Sequence, residues 1–190
     1  MTAPRVILGI SGASGAALAL SVARQLVDIG AEIELVTSRA AERTLLEECG
    51  PDAKAELRAL ASTTHAIDNI GASIASGSFP VAGMIVAPCS MRSLAAIAHG
   101  LDDNLLTRAA GVQLKERRRL VLITREAPLT LAHLRNMTAA TELGGIILPP
   151  APAFYLMPNS IQDIIDQIAA RAIDLLGFAP PVAKSWSEIS

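Results

Sequence analysis

The stretch "GISGASGA", Gly9–Ala16, sets a glycine-rich turn between an apolar run and an alanine-rich helix. A turn of this kind offers backbone N–H groups and the positive end of a helix dipole to an anion, and Ser14 adds a hydroxyl. The spacing Gly9, Gly12, Gly15 is not the G-x-G-x-x-G of dinucleotide sites. The next β-rich run ends in Thr37 and Ser38, where a dinucleotide site would carry an acid for the ribose diol, and no G-K-[ST] ending is present. The loop therefore points to a single phosphate with hydroxyl partners, as in a mononucleotide such as FMN, and away from NAD. The other reading of the same glycines is a tight turn with close helix packing.

Four further stretches carry chemistry-bearing residues. "APCSMRSLAAIAHG" repeats the device: Ser90 and Ser93 offer hydroxyls at the start of a helix, to the same ligand or as an ordinary N-cap. In "DNLLTRAAGVQLKERRR", Arg108 and Lys115 fall on one helical face two turns apart, with Gly111 between them. Two cations on a face without an acid suit a second phosphate, and a solvated charged face is the alternative. "ITREAPL" puts Arg125 and Glu126 directly after a buried strand, where a carboxylate could shuttle a proton or pair with its arginine neighbour. "PPAPAFYLMP" holds the only tyrosine, Tyr155, and Trp186 is the only tryptophan. With aromatics at 3% of the chain, these two are candidate walls for an apolar substrate.

These residues must be positioned by the segments before them. "RVILGI", "EIELVT", "AGMIVAP", "RLVLIT" and "GIILPP" read as strands, separated by helical spacing of apolar residues. Their continuous hydrophobicity predicts a mainly parallel sheet covered on both faces, an α/β, flavodoxin/Rossmann-like doubly wound sandwich. Residues 1–190 are expected to form one domain, without repeats or linkers. Pro51 to Phe79 reads as the least regular part, with "GASIASGSFP" a loop that buries little, and Phe178 to Ser190 as an irregular tail on the surface or on a neighbour. In such sheets ligands sit beyond the carboxyl ends of the strands, where Gly12, Ser14, Ser38, "PCSMRS", Arg125, Glu126 and the Pro149–Tyr155 stretch converge.

Composition narrows the partners. Sixteen Lys plus Arg against eighteen Asp plus Glu, a net charge of −2, leave no basic stripe for nucleic acid. No apolar run reaches membrane-spanning length, no signal-peptide core precedes the first strand, and Cys49 and Cys89 lack C-x-x-C spacing, so a cytoplasmic protein is expected. Cys89 reads as a small buried residue. A hydrophobic share of 51% in 190 residues predicts a large oligomer interface.

The set "GISGASGA", "APCSMRSLAAIAHG", "DNLLTRAAGVQLKERRRLVLITREAPL", "LRNM" and "PPAPAFYLMP" resembles the UbiX flavin prenyltransferases, including members once named as one component of hydroxyarylic acid decarboxylases. The likeness runs from the first strand to Trp186. It implies metal-independent transfer of the dimethylallyl group of dimethylallyl phosphate to N5 and C6 of reduced FMN, giving prenylated FMN for a UbiD-type decarboxylase. It also implies a homododecamer with sites where the protomers meet. By motif position, Gly12, Ala13, Ser14, Ser38, Ser90, Met91, Arg92, Ser93 and Arg125 would hold FMN. Arg108, Lys115, Tyr155 and Arg171 would hold the prenyl phosphate, Glu126 with Ser14 would handle the proton, and Trp186 would close the pocket.

The chain departs from the family at one point: many relatives read "RAADV" where it has "RAAGV". Gly111 would leave Arg108 and Lys115 uncompensated and loosen the helix by roughly 1 kcal/mol. Arg171 also has an ordinary reading, an i,i+3 pair with Asp174. Two other functions stay open at this point. FMN-dependent cysteine decarboxylases rely on a catalytic histidine, a context that His65, His99 and His133 do not present. A non-catalytic flavin carrier would have no use for Glu126, Lys115 and Tyr155.

Overall fold

The computed structural model describes residues 3–186. Six parallel strands form one sheet in the order β3-β2-β1-β4-β5-β6: β1 (Arg5–Ile10), β2 (Glu32–Thr37), β3 (Thr63–His65), β4 (Gly83–Cys89), β5 (Arg119–Thr124) and β6 (Ile146–Ile147). β4 is buried along its whole length and β1 from its second residue onward, as continuous rather than alternating hydrophobicity demands. Successive side chains feed two cores. Val6, Leu8, Ile10, Leu35 and Ile85 pack under α1 (Ala16–Asp28), α2 (Arg39–Cys49), α3 (Ala53–Leu60) and α7 (Ile161–Asp174). Ile7, Val36, Met84, Val86 and Leu122 pack under α4 (Met91–Ala98), α5 (Leu105–Lys115) and α6 (Leu131–Glu142). The doubly wound α/β architecture is thus observed, and the strand order reverses between β1 and β4, the switch point where such sheets take ligands.

Two parts differ from the sequence expectation. The Pro51–Phe79 region contains α3, the edge strand β3 and a short 3-10 turn, Ser73–Ala75. Ile74 is 1% exposed and belongs to the second core together with Ala72 and Ala75, so the glycine and serine neighbours that suggested an unburied loop frame a buried anchor centred on Ile74. The fifth anticipated strand, "GIILPP", is present but contributes only Ile146 and Ile147 to the ladder, because Pro149 and Pro150 lack the N–H to extend it. The tail runs back along α7: the Asp174 carboxylate accepts from Val182 and Ala183 N–H, and Lys184 and Gln167 exchange two hydrogen bonds. The last four residues of the expected tail, 187–190, lie outside the described residues. Among the described residues no helix is long and apolar enough to cross a membrane.

Candidate functional site

The carboxyl ends of β1 and β4 are tied together by one buried hydroxyl, and β5 is joined to them through Arg125. Ser11, 1% exposed, donates its Oγ–H to the Pro88 carbonyl at 2.9 Å and accepts from the Ser90 N–H at 2.6 Å. Arg125 N–H donates to the Cys89 carbonyl at 3.2 Å, and its Nε–H reaches across to the Ser14 carbonyl, also at 3.2 Å. The loops bearing Gly12–Ser14, Ser90–Ser93 and Arg125 are therefore held as one unit. Gly12 is required by a close approach, since a Cβ there would run into Ala40 at the start of α2. Ser38 and Ser90 each cap a helix, accepting from Ala41 and Ser93 N–H, and Ser90 also donates to the Ser93 hydroxyl. The N-cap reading of Ser90 is correct, Ser38 proves to be a cap as well, and capping fixes both hydroxyls at the strand edge. Met91 is half-buried against the second core, and Arg92 forms an ion pair with Asp103.

The α1 N-terminus departs from expectation. Its Gly15 and Ala16 N–H groups both donate to Glu48 Oε2, at 2.8 Å each. A carboxylate from the last turn of α2 thus occupies the anion position that the sequence assigned to a ligand phosphate. Partial burial pushes the Glu48 carboxyl up, but the Ala16 and Gly15 N–H groups and the Ser14 hydroxyl, with Arg125 nearby, hold it below its ordinary value. Glu48 is the site residue that sequence reasoning missed. The signal was a deficit elsewhere: α1 starts Ala16-Ala17-Leu18 behind Gly15, with no side-chain cap and no acid in its first turn, so its N–H groups needed an acceptor from another element.

Glu126 stands exposed beyond β5, with Oε1 accepting from Ala127 N–H at 3.1 Å. Because Arg125 is committed to Ser14, the alternative of a structural Arg125–Glu126 pair is not observed. Just before them, Thr124 Oγ1 is buried without a hydrogen-bond partner. Cys89 is fully buried and its thiol is pushed up to about 12 by desolvation, so it stays protonated. His65 pairs with Glu34, His99 with Asn136, and His133 closes the capping box of α6 with Thr130.

The residues assigned to a second phosphate lie apart in one chain. Asn104, Arg108, Gly111 and Lys115 share the outer stripe of α5, but Lys115 ends that helix four residues before β5 begins, next to Gly77 near the start of β4. That is the amino-terminal edge of the sheet, about 10 Å along the helix from Arg108. Neither cation is uncompensated, contrary to expectation: Arg108 Nη1 donates to Asp102 Oδ2 at 2.9 Å, and Lys115 pairs with Glu116. Arg171 lies ten residues into α7 and is exposed. Its expected partner Asp174 is taken by the tail's backbone instead. Tyr155 and Trp186 do meet, edge to face with ring centroids 5.0 Å apart, and Trp186 is 71% exposed.

Comparisons with known proteins agree on one family. Residues 1–173 match the family model described as Flavoprotein. The flavin prenyltransferase UbiX of Neisseria meningitidis serogroup B is 51% identical over 182 residues, 96% of each chain. A UbiX protein solved in complex with FMN and dimethylallyl pyrophosphate superposes with a TM-score of 0.93 at 44% identity, covering 97% of this chain and 98% of that one. A structure described as a dodecameric FMN-dependent UbiX-like decarboxylase from Escherichia coli O157:H7 gives 0.90 at 42%, covering 96% and 98%. With its switch-point edge, its arginine-bridged glycine loop and these full-length likenesses, the chain belongs to the UbiX flavin prenyltransferase family.

Proposed function

We propose that this protein is a flavin prenyltransferase that joins the dimethylallyl group of dimethylallyl phosphate to reduced FMN at N5 and C6, releasing prenylated FMN and phosphate. The observation that carries the reading is the arginine-bridged strand edge, in a chain whose solved relative binds FMN together with a dimethylallyl donor. The residues fit FMN. Gly12 keeps the cradle open where any side chain would strike Ala40, the Ser14, Ser38, Ser90 and Ser93 hydroxyls suit a phosphate and ribityl chain, and Arg125 supplies one positive charge. Thr124 Oγ1 is a buried hydroxyl still lacking a partner at that edge.

When bound, the reduced isoalloxazine supplies the two nucleophilic positions that take the prenyl group. Arg108, Lys115 and Arg171, with the Tyr155 hydroxyl, hold the donor phosphate. As the carbon–oxygen bond breaks, negative charge builds on that phosphate, and cations aimed at it stabilise the transition state more than the ground state. Tyr155 and Trp186 wall the allylic carbon from water and offer it their ring faces. Glu126 accepts the proton that leaves C6. Ser14, held between Arg125 and Glu48, would keep the glycine loop aligned for the flavin and assist Glu126.

Because one chain leaves Lys115 and Arg171 away from the strand edge, the donor half is completed by neighbouring copies in an oligomer, which we take to be a homododecamer. The exposed apolar residues Phe154, Met157, Ile161 and Trp186 around the Tyr155 loop support such a contact. The product is consumed by a UbiD-type decarboxylase, and two cysteines without disulfide partners suit a cytoplasmic setting. Anaerobic incubation with reduced FMN and dimethylallyl phosphate, followed by mass spectrometry of the bound flavin, tests the reading. A flavin heavier by one dimethylallyl unit is expected, and unaltered FMN would overturn it.

A further inference from the structure

Gly111 and Asp102 are adjacent in space although nine positions apart in sequence. A Cβ built on Gly111 would lie 3.0 Å from Asp102 Oδ1, and the other oxygen of that carboxylate, Oδ2, accepts from Arg108 Nη1 at 2.9 Å. One carboxylate thus touches both the bare stripe position and the cation one turn before it. The segment carrying it is fixed at several points. Leu101 N–H donates to the Ala96 carbonyl, Leu105 N–H to Ile67, Asn104 caps α5 through Thr107 N–H, and the neighbouring Asp103 pairs with Arg92. Such a link holds its aspartate in one place, whereas a free surface loop would not.

The geometry points to Asp102 as a positioning residue for the prenyl donor: it aims Arg108 from outside the helix, and Gly111 is the space its carboxylate requires. The inference rests on the reading that Arg108 holds the donor phosphate. A guanidinium has five N–H donors in a rigid fork, so one bond from Nη1 to Asp102 leaves the remaining donors for phosphate oxygens while removing rotamer freedom that binding would otherwise cost. An aspartate placed at 111 beside Asp102 would set two carboxylates in contact, a repulsive arrangement. With Asp102 neutralised, an aspartate at 111 would sit one turn from Arg108 and take over its pairing.

The test is an exchange of the carboxylate between the two positions, read by anaerobic prenyl transfer at saturating reduced FMN with dimethylallyl phosphate varied. Asp102→Asn is expected to raise KM for the donor about five- to tenfold, with kcat and FMN affinity within twofold of the parent. Gly111→Asp alone is expected to raise it as well, and Asp102→Asn combined with Gly111→Asp to bring it back within about twofold of the parent. Because Asp102 is partly exposed, Tm of Asp102→Asn should stay within about 2 °C. A parental KM in Asp102→Asn, or a double variant no better than the worse single, overturns the inference while the parent enzyme's turnover leaves the function standing. A parent enzyme that forms no prenylated flavin overturns both.

Discussion

The two halves of the site are built in opposite ways. At the strand edge, Ser11, Ser14, Glu48, Ser90 and Arg125 are joined within one chain by hydrogen bonds of 2.6 to 3.2 Å that cross from β1 to β4, to β5 and to α2. The donor half is a set of separate outposts: Arg108 and Lys115 on α5, Arg171 on α7, and the exposed Tyr155–Trp186 pair. The first half is rigid because backbone groups must be satisfied wherever the chain turns. In the second, the charges of α5 carry local counterions, Asp102 and Glu116, each a separate ion pair. On the proposed reading, one folded chain is complete for its cofactor and incomplete for its substrate.

Substitutions in each half should separate the two functions. The largest effect is expected at the edge: Glu126→Gln keeps shape and hydrogen bonding but cannot accept a proton, and should slow turnover about 10²- to 10³-fold. Anaerobic single-turnover spectra check this, and unchanged kinetics in a less stable protein would mean that Glu126 is structural. Next, Lys115→Met should weaken dimethylallyl phosphate binding about 10- to 100-fold through loss of a charge-assisted contact, and leave FMN affinity unchanged in a flavin titration. Equal loss of both ligands would erase the distinction between the halves.

Smaller effects sharpen the account of the edge. Gly12→Ala forces a methyl into Ala40 and should cost about 1–3 kcal/mol of stability together with FMN affinity. Denaturant unfolding with and without FMN measures both. The smallest effect belongs to Glu48, whose carboxyl is held below its ordinary value in the folded chain. Its contribution is fully present above the unfolded-state value and is lost as pH falls through the folded one. Glu48→Gln should therefore flatten the acid limb of the stability curve and cost about 0.5–1 kcal/mol near neutrality, in line with an exposed helix cap.

The sequence made the edge far more legible than the donor half. β1, β4 and β5 carry apolar runs and β2 carries Ile33, Leu35 and Val36 around Glu34, and the residues following them had to emerge at one edge once the sheet was parallel. β3 escaped because its three residues, Thr63–His65, are polar or half-buried and carry no run. Ile74 escaped because one large apolar residue, flanked by the small Ala72 and Ala75 among glycines and serines, leaves no periodic trace. Glu48 sits in the ordinary helical pattern "LLEEC" and reaches α1 only through the packing of α2 against it. Asp102 escaped for the same reason: the pairing of Arg108 was sought on its own helix, and it came from the segment before it.

The central claim, that one chain completes the flavin half while the donor half needs another copy, is tested most directly by mixing protomers. Glu126→Gln and Lys115→Met proteins, each deficient alone, are dissociated, combined and reassembled, and prenyl transfer is measured anaerobically at limiting dimethylallyl phosphate. If the halves come from different chains, mixed assemblies contain sites with both an intact Glu126 and an intact Lys115, and activity should rise well above the sum of the two separate proteins. Activity that stays at that sum, in assemblies shown by native mass spectrometry to contain both variants, would place the two residues in a site within one chain and contradict the account.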